Sequence, residues 1–356
     1  MDFGVAFASS TESWRVVERA EALGFTHAWF YDTQLLNPDV FVCMALAARA
    51  TKRIRLGTGV LIPSNRISPV AANGLATLSK LAPGRIDFGV GTGFTARRTM
   101  GQGAIKLAEF ERYIAEVQGL LRGETVEALL EGEKKKVRFL NPELGLIDIS
   151  HEVPLHLSAF GPKARALTAK LGARWAFFNG SNPLAIAALQ AMQATWRAAG
   201  RAEPLYANLY ALGCVLQPGE SAAGPRAMAQ AGPMAAVALH ALVEQRAWGQ
   251  AVSAPPPIDA ALDAYSKLYE RFEPSDARWL HLHRGHLMFV REEERPLLSA
   301  EIIKMLSFTG TSEDLRSRIE ALRDAGYDQF TIQIVEGQEA ALEDWAAVLK
   351  PLGLRT

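Results

Sequence analysis

The chain has 356 residues, with 38 basic and 38 acidic side chains, 49% hydrophobic residues and 21% charged residues. This composition is ordinary for a globular protein, and it excludes a disordered chain, a collagen and a small disulfide-rich scaffold. Because the formal net charge is zero, the sequence has no basic footprint for nucleic acid, and we expect no nucleic-acid partner. No apolar run approaches the roughly 18 residues of a membrane span, and no signal peptide is recognisable, so we expect no membrane association and a cytoplasmic location.

The first third of the chain alternates short apolar segments with amphipathic ones. The apolar segments predict strands over residues 2–8, 27–31, 54–61 and 85–90. Helices are predicted from an N-cap at Ser10–Glu12 to Leu23, over about 40–51, and from Ser68 to about Leu81. Nearly all-apolar strands separated by helices are typical of a parallel sheet that is covered on its outside.

The alternation stops at residues 123–152, which we interpret as an insertion, because they contain a lysine run and a turn region rich in Gly, Asn and Pro. Residues 220–306 predict a second, mostly helical insertion. The remaining predicted strands are 153–159, 174–178, 205–216 and 330–335, and the remaining helices are 163–171, 183–199, 311–326 and 338–350.

Eight strands that alternate with eight helical regions predict the α/β class and a (β/α)₈ TIM barrel. We interpret residues 1–356 as a single domain with insertions at about 123–152 and 220–306. Cys43 and Cys214 lie far apart in apolar runs and predict two buried, reduced thiols. In such a barrel the active site lies at the C-terminal ends of the strands, so the residues directly after each strand are the candidates.

The first candidate motif is the glycine-rich run at 89–93 (GVGTG), after the fourth predicted strand. Glycine lets the backbone approach a ligand closely, so Gly91, Thr92 and Gly93 predict a platform for a flat ring or a phosphate. A structural glycine turn is the alternative. A dinucleotide-binding fingerprint is disfavoured, because no further glycine and no later acidic residue follow in register.

The second candidate is Ala159–Phe160–Gly161–Pro162, where a strand ends and a helix begins with proline. Free N–H groups and the helix dipole make such a turn an anion site, while an ordinary βα turn is the alternative. Asp32 follows an aromatic strand, and its carboxylate is a candidate to bond a cofactor or to transfer a proton. Its structural alternative is an N-cap or an Asx turn.

The helical insertion contains His281, His283 and His286 in the run HLHRGH. We expect His283 to contact the substrate, and a structural histidine is the alternative. A metal site needs a third ligand and supporting partners, and none is evident in the sequence, so we expect no metal. Motifs of serine hydrolases, P-loop proteins and zinc proteases are absent, which suits a protein whose bound cofactor carries the reaction.

An ordered series of segments carries a family likeness. In chain order these segments are 20–25 (AEALGF), 28–32 (AWFYD), 50–60 (ATKRIRLGTGV), 78–85 (LSKLAPGR), 89–93 (GVGTG), 154–164 (PLHLSAFGPKA), 310–311 (GT) and 325–328 (AGYD). Together they resemble the bacterial-luciferase-like superfamily of flavin- and deazaflavin-dependent oxidoreductases, nearest the branch that contains methylenetetrahydromethanopterin reductase. The resemblance spans most of the chain outside the two insertions. It implies a TIM barrel that binds FMN or coenzyme F420 at the C-terminal ends of the strands.

The resemblance also implies where the cofactor lies. Gly161 and Pro162 are expected near its phosphate, and a cis peptide bond or a bulge is expected at Gly59–Val60, behind the ring. We also expect cofactor contacts from residues at the predicted strand ends, namely Asp32, Gly91, Thr92, Gly93, Ala159, Phe160 and Asn179. Members of this family are often dimers, so we expect a homodimer or a higher homo-oligomer.

Relatives that use F420 often have a histidine directly after the residue matching Asp32, whereas Thr33 and Gln34 follow it here. This difference favours FMN, and with it a luciferase-like monooxygenase. In that interpretation reduced FMN, supplied by a separate flavin reductase, reacts with oxygen on a small organic substrate. One alternative is an F420-dependent reductase or dehydrogenase that transfers a hydride without oxygen. A non-catalytic flavin-binding barrel is the other alternative.

Overall fold

The computed structural model describes residues 1–354, and within them eight parallel strands close into a barrel. Within residues 1–354 the structure has ten strands, namely β1 Asp2–Phe7, β2 His27–Phe30, β3 Arg55–Thr58, β4 Ile86–Val90, β5 Val126–Leu130, β6 Glu133–Val137, β7 Leu155–Ser158, β8 Arg174–Phe178, β9 Ala207–Ala211 and β10 Gln329–Gln333, of which all but β5 and β6 belong to the barrel. Around the barrel the order is β1, β2, β3, β4, β7, β8, β9 and β10, which pairs again with β1. This closed barrel confirms the predicted (β/α)₈ fold.

Helices surround the barrel and connect its strands. They are α1 Ser13–Leu23, α2 Val40–Ala50, α3 Ser68–Leu81, α4 Phe94–Arg98, α5 Leu107–Leu121, α6 Pro162–Leu171, α7 Asn182–Ala198, α8 Pro225–Ala247, α9 Pro256–Tyr269, α10 Trp279–Leu282, α11 Ala300–Leu306, α12 Ser312–Ala325 and α13 Ala341–Leu349. Among the described residues, none of these helices combines the length and the apolar character needed to cross a membrane.

The two segments that interrupt the sequence alternation have their own structure. Residues 123–152 contain β5 and β6, which pair as an antiparallel hairpin outside the barrel sheet. Residues 220–306 contain α8, α9, α10 and α11. The helices of this second segment share a separate apolar core, which includes Leu239, Leu262 and Ile303.

Local sequence sets some helix ends but not all. Thr311 and Asp314 form the capping box that the sequence predicts at the start of α12. The cap predicted at Ser10–Glu12 is wrong, because no side chain caps α1. Glu12 already has helical backbone angles there, and its carboxylate pairs instead with Arg15, with 2.7 Å between Oε2 and Nε.

Side chains alternate between the two faces of the barrel strands. Outward-facing residues such as Val5 and Phe30 pack with helix residues such as Val17 in the main apolar core. Inward-facing residues include Trp29, whose ring is fully buried and lies 5.6 Å, centre to centre, from that of Tyr210. Cys43 and Cys214 are both buried and are not joined by a disulfide, as the sequence predicts.

A charged cluster fills one layer of the barrel interior. The carboxylate of Asp87 is fully buried and accepts hydrogen bonds from Arg55 Nε at 2.8 Å and from His156 Nε2 at 3.2 Å. Burial alone raises the pKa of Asp87, but the hydrogen bonds and charge of His156 and Arg55 outweigh it and hold that pKa well below its usual value. The ionised carboxylate therefore stabilises the folded barrel.

Replacing Asp87 by Asn should lower the free energy of unfolding by about 3–5 kcal/mol near neutral pH, since Arg55 loses its buried partner. The lowered folded-state pKa means that this contribution is fully present above the unfolded value of about 3.9 and is lost as the pH falls below it. In urea unfolding curves, the gap between wild type and D87N should narrow by about 1.4 kcal/mol per pH unit in that range. The exposed Asp324→Asn is the matched control and should change stability by less than about 1 kcal/mol. A gap that does not depend on pH would contradict the argument.

Candidate active site

A cavity of about 610 Å³ opens at the C-terminal ends of the barrel strands. This volume lies within the range of small-molecule and cofactor sites, which is about 300–1,000 Å³. Five neighbouring strands supply its floor, through Gly59 and Val60 after β3, Gly91 after β4, Ser158 of β7, Ala176 and Phe178 of β8, and Tyr210 of β9. The cavity is thus at the end of the barrel where the sequence analysis expects the site.

Asp32 lies on the cavity wall with its carboxylate almost fully buried. Arg66 Nη1 lies 2.9 and 3.0 Å from its two oxygens, and the Ile62 amide donates to Oδ2 at 3.1 Å. The same guanidinium also pairs with Asp39, the N-cap residue of α2. Because several N–H groups already occupy the carboxylate, Asp32 holds the loop that follows β3 against the barrel.

The residue pair Gly59–Val60 is joined by a cis peptide bond, as the resemblance implies. Both residues line the cavity. A Cβ atom placed on Gly91 would lie 2.6 Å from Val60 Cγ2, far closer than non-bonded carbon atoms pack, and 3.4 Å from Ser158 Cβ. Glycine at position 91 therefore leaves the space that the Val60 side chain occupies.

The glycine-rich run is only partly on the cavity wall. Gly91, Thr92 and Gly93 line the cavity, in agreement with the predicted platform. Gly89 does not, because it lies within β4, where a Cβ would come 2.0 Å from the Thr58 carbonyl oxygen. Its glycine is explained by strand packing alone.

Of the second motif, at 159–162, only one residue lines the cavity. Phe160 lines the cavity, and so does Asn179, which follows β8. Ala159 does not line it: this residue is fully buried, and its carbonyl oxygen accepts a hydrogen bond from Trp175 Nε1 at 2.8 Å. Gly161–Pro162 also lies outside the lining and is exposed at the start of α6, next to Phe160.

His286, rather than His283, lies on the cavity wall. The His286 Nε2 atom is 2.8 Å from the Thr95 hydroxyl, and burial lowers the pKa of this histidine well below its usual value, so the ring is neutral. His283 is 1% exposed and faces α8, with its Nε2 3.3 Å from Glu244 Oε1. The turn after α10 therefore directs the predicted substrate contact away from the cavity.

The individual residues that form the roof of the cavity were not identified from the sequence. They come from one face of α8, namely Met234, Val237, Ala238, Ala241 and Gln245. This helical spacing is visible in the sequence, but nothing in the pattern indicates that the helix folds back over the strand ends.

The hydroxyl groups of Ser158 and Thr92 lie on the cavity wall and have no hydrogen-bond partner among residues 1–354, and the buried hydroxyl of Tyr210 has none either. The hydroxyl oxygens of Ser158 and Thr92 are not fully buried. Thr92 is one of the cofactor contacts predicted from the sequence, whereas Ser158 is not. The signal for Ser158 was its position as the last residue of a strand, directly before the candidate turn at 159–162.

The family is shown by a comparison with known protein families. The sequence profile described as luciferase-like monooxygenase matches residues 8–329, which is most of the chain. The fold and the position of the cavity agree with that match. The chain therefore belongs to the luciferase-like monooxygenase family.

Particular relatives within this family are more informative about chemistry. An F420-dependent glucose-6-phosphate dehydrogenase from Beutenbergia cavernae is 34% identical over 143 residues, which are 38% of this chain and 40% of that protein. A 5,10-methylenetetrahydromethanopterin reductase from Methanolobus tindarius is 29% identical over 188 residues, which are 51% of this chain and 55% of that protein. The chain thus spans only about half the length of the curated relatives it matches.

A solved structure extends the comparison to the whole fold. The coenzyme F420-dependent tetrahydromethanopterin reductase from Methanopyrus kandleri has a TM-score of 0.67 and 19% sequence identity, with 99% of both chains covered. At this level of identity the likeness shows the shared barrel fold.

The Asp32–Arg66 pair provides a test of how the cavity wall is held. Arg66→Gln should lower the free energy of unfolding by about 1.5–3 kcal/mol, because the buried carboxylate loses a charged hydrogen-bond donor. Arg15→Gln, which breaks the exposed pair with Glu12, is the matched control and should cost less than about 1 kcal/mol.

Adding Asp32→Asn to the Arg66→Gln variant should recover part of the loss, since the unpaired buried charge is then removed. Thermal and urea unfolding of the four combinations measures this coupling. Strictly additive losses would contradict the proposed dependence of Asp32 on Arg66.

Proposed function

We propose that this protein is an F420-dependent oxidoreductase that transfers a hydride between the bound deazaflavin and a small organic substrate, without oxygen. The observation that carries the proposal is the sequence identity with relatives named for that chemistry, an F420-dependent dehydrogenase and a methylenetetrahydromethanopterin reductase. The family match and the cavity at the strand ends support an oxidoreductase in general. They do not by themselves separate F420 from FMN.

This proposal reverses the preference for FMN in the sequence analysis. That preference depended on a single position, Thr33, which stands where F420-using relatives often have histidine. The relatives match the chain over many more positions and therefore weigh more. A histidine, His286, also reaches the same cavity from the segment that contains α10, so a missing histidine after Asp32 does not leave the cavity without one.

The residues of the cavity fit a planar aromatic cofactor. Val60 and Gly91 form an apolar part of the floor, and the roof residues of α8 are mostly apolar. The unpartnered hydroxyls of Ser158 and Thr92 can bond the polar edge of a ring. Such walls orient a ring, and by excluding water they protect a hydride transfer.

When bound, the deazaflavin supplies the hydride donor or acceptor. The contribution of this chain is to hold the ring and the substrate in contact within the cavity. We assign Asp32 a positioning role, because its carboxylate is already bonded by Arg66 and the Ile62 amide. Phe160 and Phe177, whose ring centres are 5.0 Å apart, form an apolar wall on the side of α6.

The phosphate of the cofactor has a candidate partner beside this wall. Gly161–Pro162 starts α6, so the free N–H groups of its first turn point away from the helix, and Lys163 adds a positive charge. This end of α6 is exposed, next to the cavity residue Phe160. Anions bind well at such helix N-termini. We therefore propose that the cofactor phosphate binds here, next to Gly161 and Pro162, as the family resemblance implies.

The first experiment is a binding comparison. Purified protein is titrated with F420 and, separately, with FMN, and cofactor absorbance and fluorescence are followed. We expect F420 to bind at least about tenfold more tightly, a difference of about 1.4 kcal/mol. Oxidised F420 is then supplied with glucose 6-phosphate, and reduced F420 with methylenetetrahydromethanopterin, both without oxygen.

The possible results separate the three functions. Reduction or oxidation of F420 that needs a substrate and proceeds without oxygen supports the proposal. Tighter binding of FMN together with substrate-dependent oxygen uptake would support the monooxygenase instead. Tight cofactor binding with no turnover of any substrate would point to the non-catalytic barrel.

A pair of serine variants tests the cavity contacts. Ser158→Ala should weaken cofactor binding by about 0.5–1.5 kcal/mol, the net value of one hydrogen bond, and leave the stability of the cofactor-free protein unchanged, because the hydroxyl has no protein partner. Ser79→Ala is the matched control, since Ser79 lies outside the cavity and bonds Asp148 at 3.0 Å. It should lower the melting temperature without changing the affinity. Equal effects of the two variants on affinity would contradict the role of Ser158.

The homo-oligomer stays a prediction. Four large apolar side chains on and beside α2 and α3 are between 41% and 57% exposed, namely Val42, Leu46, Ile67 and Val70. An exposed apolar face of this kind is where we expect a second copy of the chain to bind.

A further inference from the structure

Three histidines meet in a buried cluster beside the cavity. His240 comes from α8, and His283 and His286 come from the segment that begins at the end of α10. Their rings are between 1% and 6% exposed, and the ring centres are 5.4 to 6.5 Å apart. One ring nitrogen from each of the three lies within 4.8 Å of one from each of the others. In the sequence, His283 and His286 stand together in the run HLHRGH, whereas His240 is more than 40 positions away and is not recognisable as their partner.

Two carboxylates determine which ring nitrogens carry hydrogen. His240 Nε2 lies 2.6 Å from Glu294 Oε1, and His283 Nε2 lies 3.3 Å from Glu244 Oε1. An ionised carboxylate only accepts hydrogen bonds, so each Nε2 is the donor. A neutral imidazole that donates through Nε2 has its lone pair on Nδ1, so Nδ1 is the ligand atom that His240 and His283 can offer.

The Nδ1 atoms of the cluster have at most one protein hydrogen between them, and that of His240 has no donor to bond. His240 Nδ1 is buried and has no hydrogen-bond partner among the described residues. His283 Nδ1 is 3.5 Å from His286 Nδ1, and His286 Nε2 is next to the Thr95 hydroxyl, which can accept its hydrogen. Buried acceptors that face one another without a proton or a cation between them are unfavourable.

We propose that His240, His283 and His286 bind one divalent transition-metal ion, with Zn²⁺ as the first candidate, through their Nδ1 atoms. Three neutral imidazoles suit zinc, cobalt, nickel and copper, whereas calcium and magnesium prefer oxygen ligands. A metal-binding histidine usually donates its other ring N–H to a carboxylate or a similar acceptor, and all three histidines have such a partner here.

The groups behind the histidines are themselves held in place. Glu294 accepts hydrogen bonds from the Tyr265 hydroxyl and from Arg291 Nη2, each at 2.6 Å. Glu244 is paired with Arg98. A supporting shell with fixed orientation is what a preorganised metal site requires.

The metal would connect two parts of the cavity roof. His240 lies on α8, which supplies the roof face, and His286 belongs to the following segment and lies on the cavity wall itself. Binding of one ion by both parts would fasten the segment at 283–286 to α8. The proposal is independent of which cofactor occupies the cavity.

The test uses untagged full-length protein, because a histidine tag would bind the same metals. After treatment with a chelator, the protein is titrated with Co²⁺ and with Zn²⁺. We expect one equivalent to bind, visible absorption from Co²⁺, displacement of Co²⁺ by Zn²⁺, and a higher melting temperature. X-ray absorption of the zinc form should show about three nitrogen neighbours near 2.0 Å.

Variants assign the site to these residues. His286→Asn and His240→Asn should each weaken Co²⁺ binding by at least about tenfold. His281→Asn is the matched control: it lies in the same HLHRGH run, is partly exposed and pairs with Glu293 outside the cluster, so it should bind Co²⁺ as wild type does. If His240→Asn does not fold, the Co²⁺ affinity of His286→Asn and the X-ray absorption spectrum of the wild-type zinc form still test the proposed metal site. Binding below one equivalent, or equal affinity in His286→Asn and His281→Asn, would overturn the proposal.

Discussion

The indole ring of Trp29 fills the interior of the barrel, and the strands around it depend on the space that it takes. A Cβ on Gly57 would lie 2.3 Å from a ring carbon, so no larger residue fits there while the indole stays in place. The same ring touches His156, which belongs to the charged cluster around Asp87, and Tyr210, which lines the cavity. Trp29 thus lies between the interior that stabilises the barrel and the floor on which a ligand would lie.

The cavity floor continues this close packing at the strand ends. Val60 occupies the space that Gly91 leaves free, and Ser158 lies directly beside that glycine. The pair of Asp32 and Arg66 holds the loop after β3, so the position of Val60 is fixed from outside as well. Small residues here serve the shape of the floor, which is why the glycine-rich run is better explained by packing and ring access than by a phosphate loop.

Helix α8 contributes both to the roof of the cavity and to the histidine cluster. One face of α8 closes the cavity with mostly apolar side chains, while His240, on the same helix, meets His283 and His286. The separate core, formed mostly by residues 220–306, supports this arrangement, and Met234 of α8 packs with Leu212 and Val335 near the strand ends. In a family whose members share a barrel and differ in chemistry, such a segment is where substrate selection is expected to reside.

The barrel, its eight strands and the end of the barrel at which the cavity lies could all be predicted from the amino-acid sequence. These follow from local patterns, because periodicity and turn residues act over a few neighbouring positions. The sequence also placed Asp32, Val60, Gly91, Thr92, Gly93, Phe160 and Asn179 on the cavity wall. Three features could not be predicted and depend on the folded chain: Ala159 is buried in the core, His286 rather than His283 reaches the cavity, and His240 lies beside both histidines. The physical reason is that these contacts join segments far apart in sequence, and the packing of α8 onto the strand ends sets them, which no local pattern encodes.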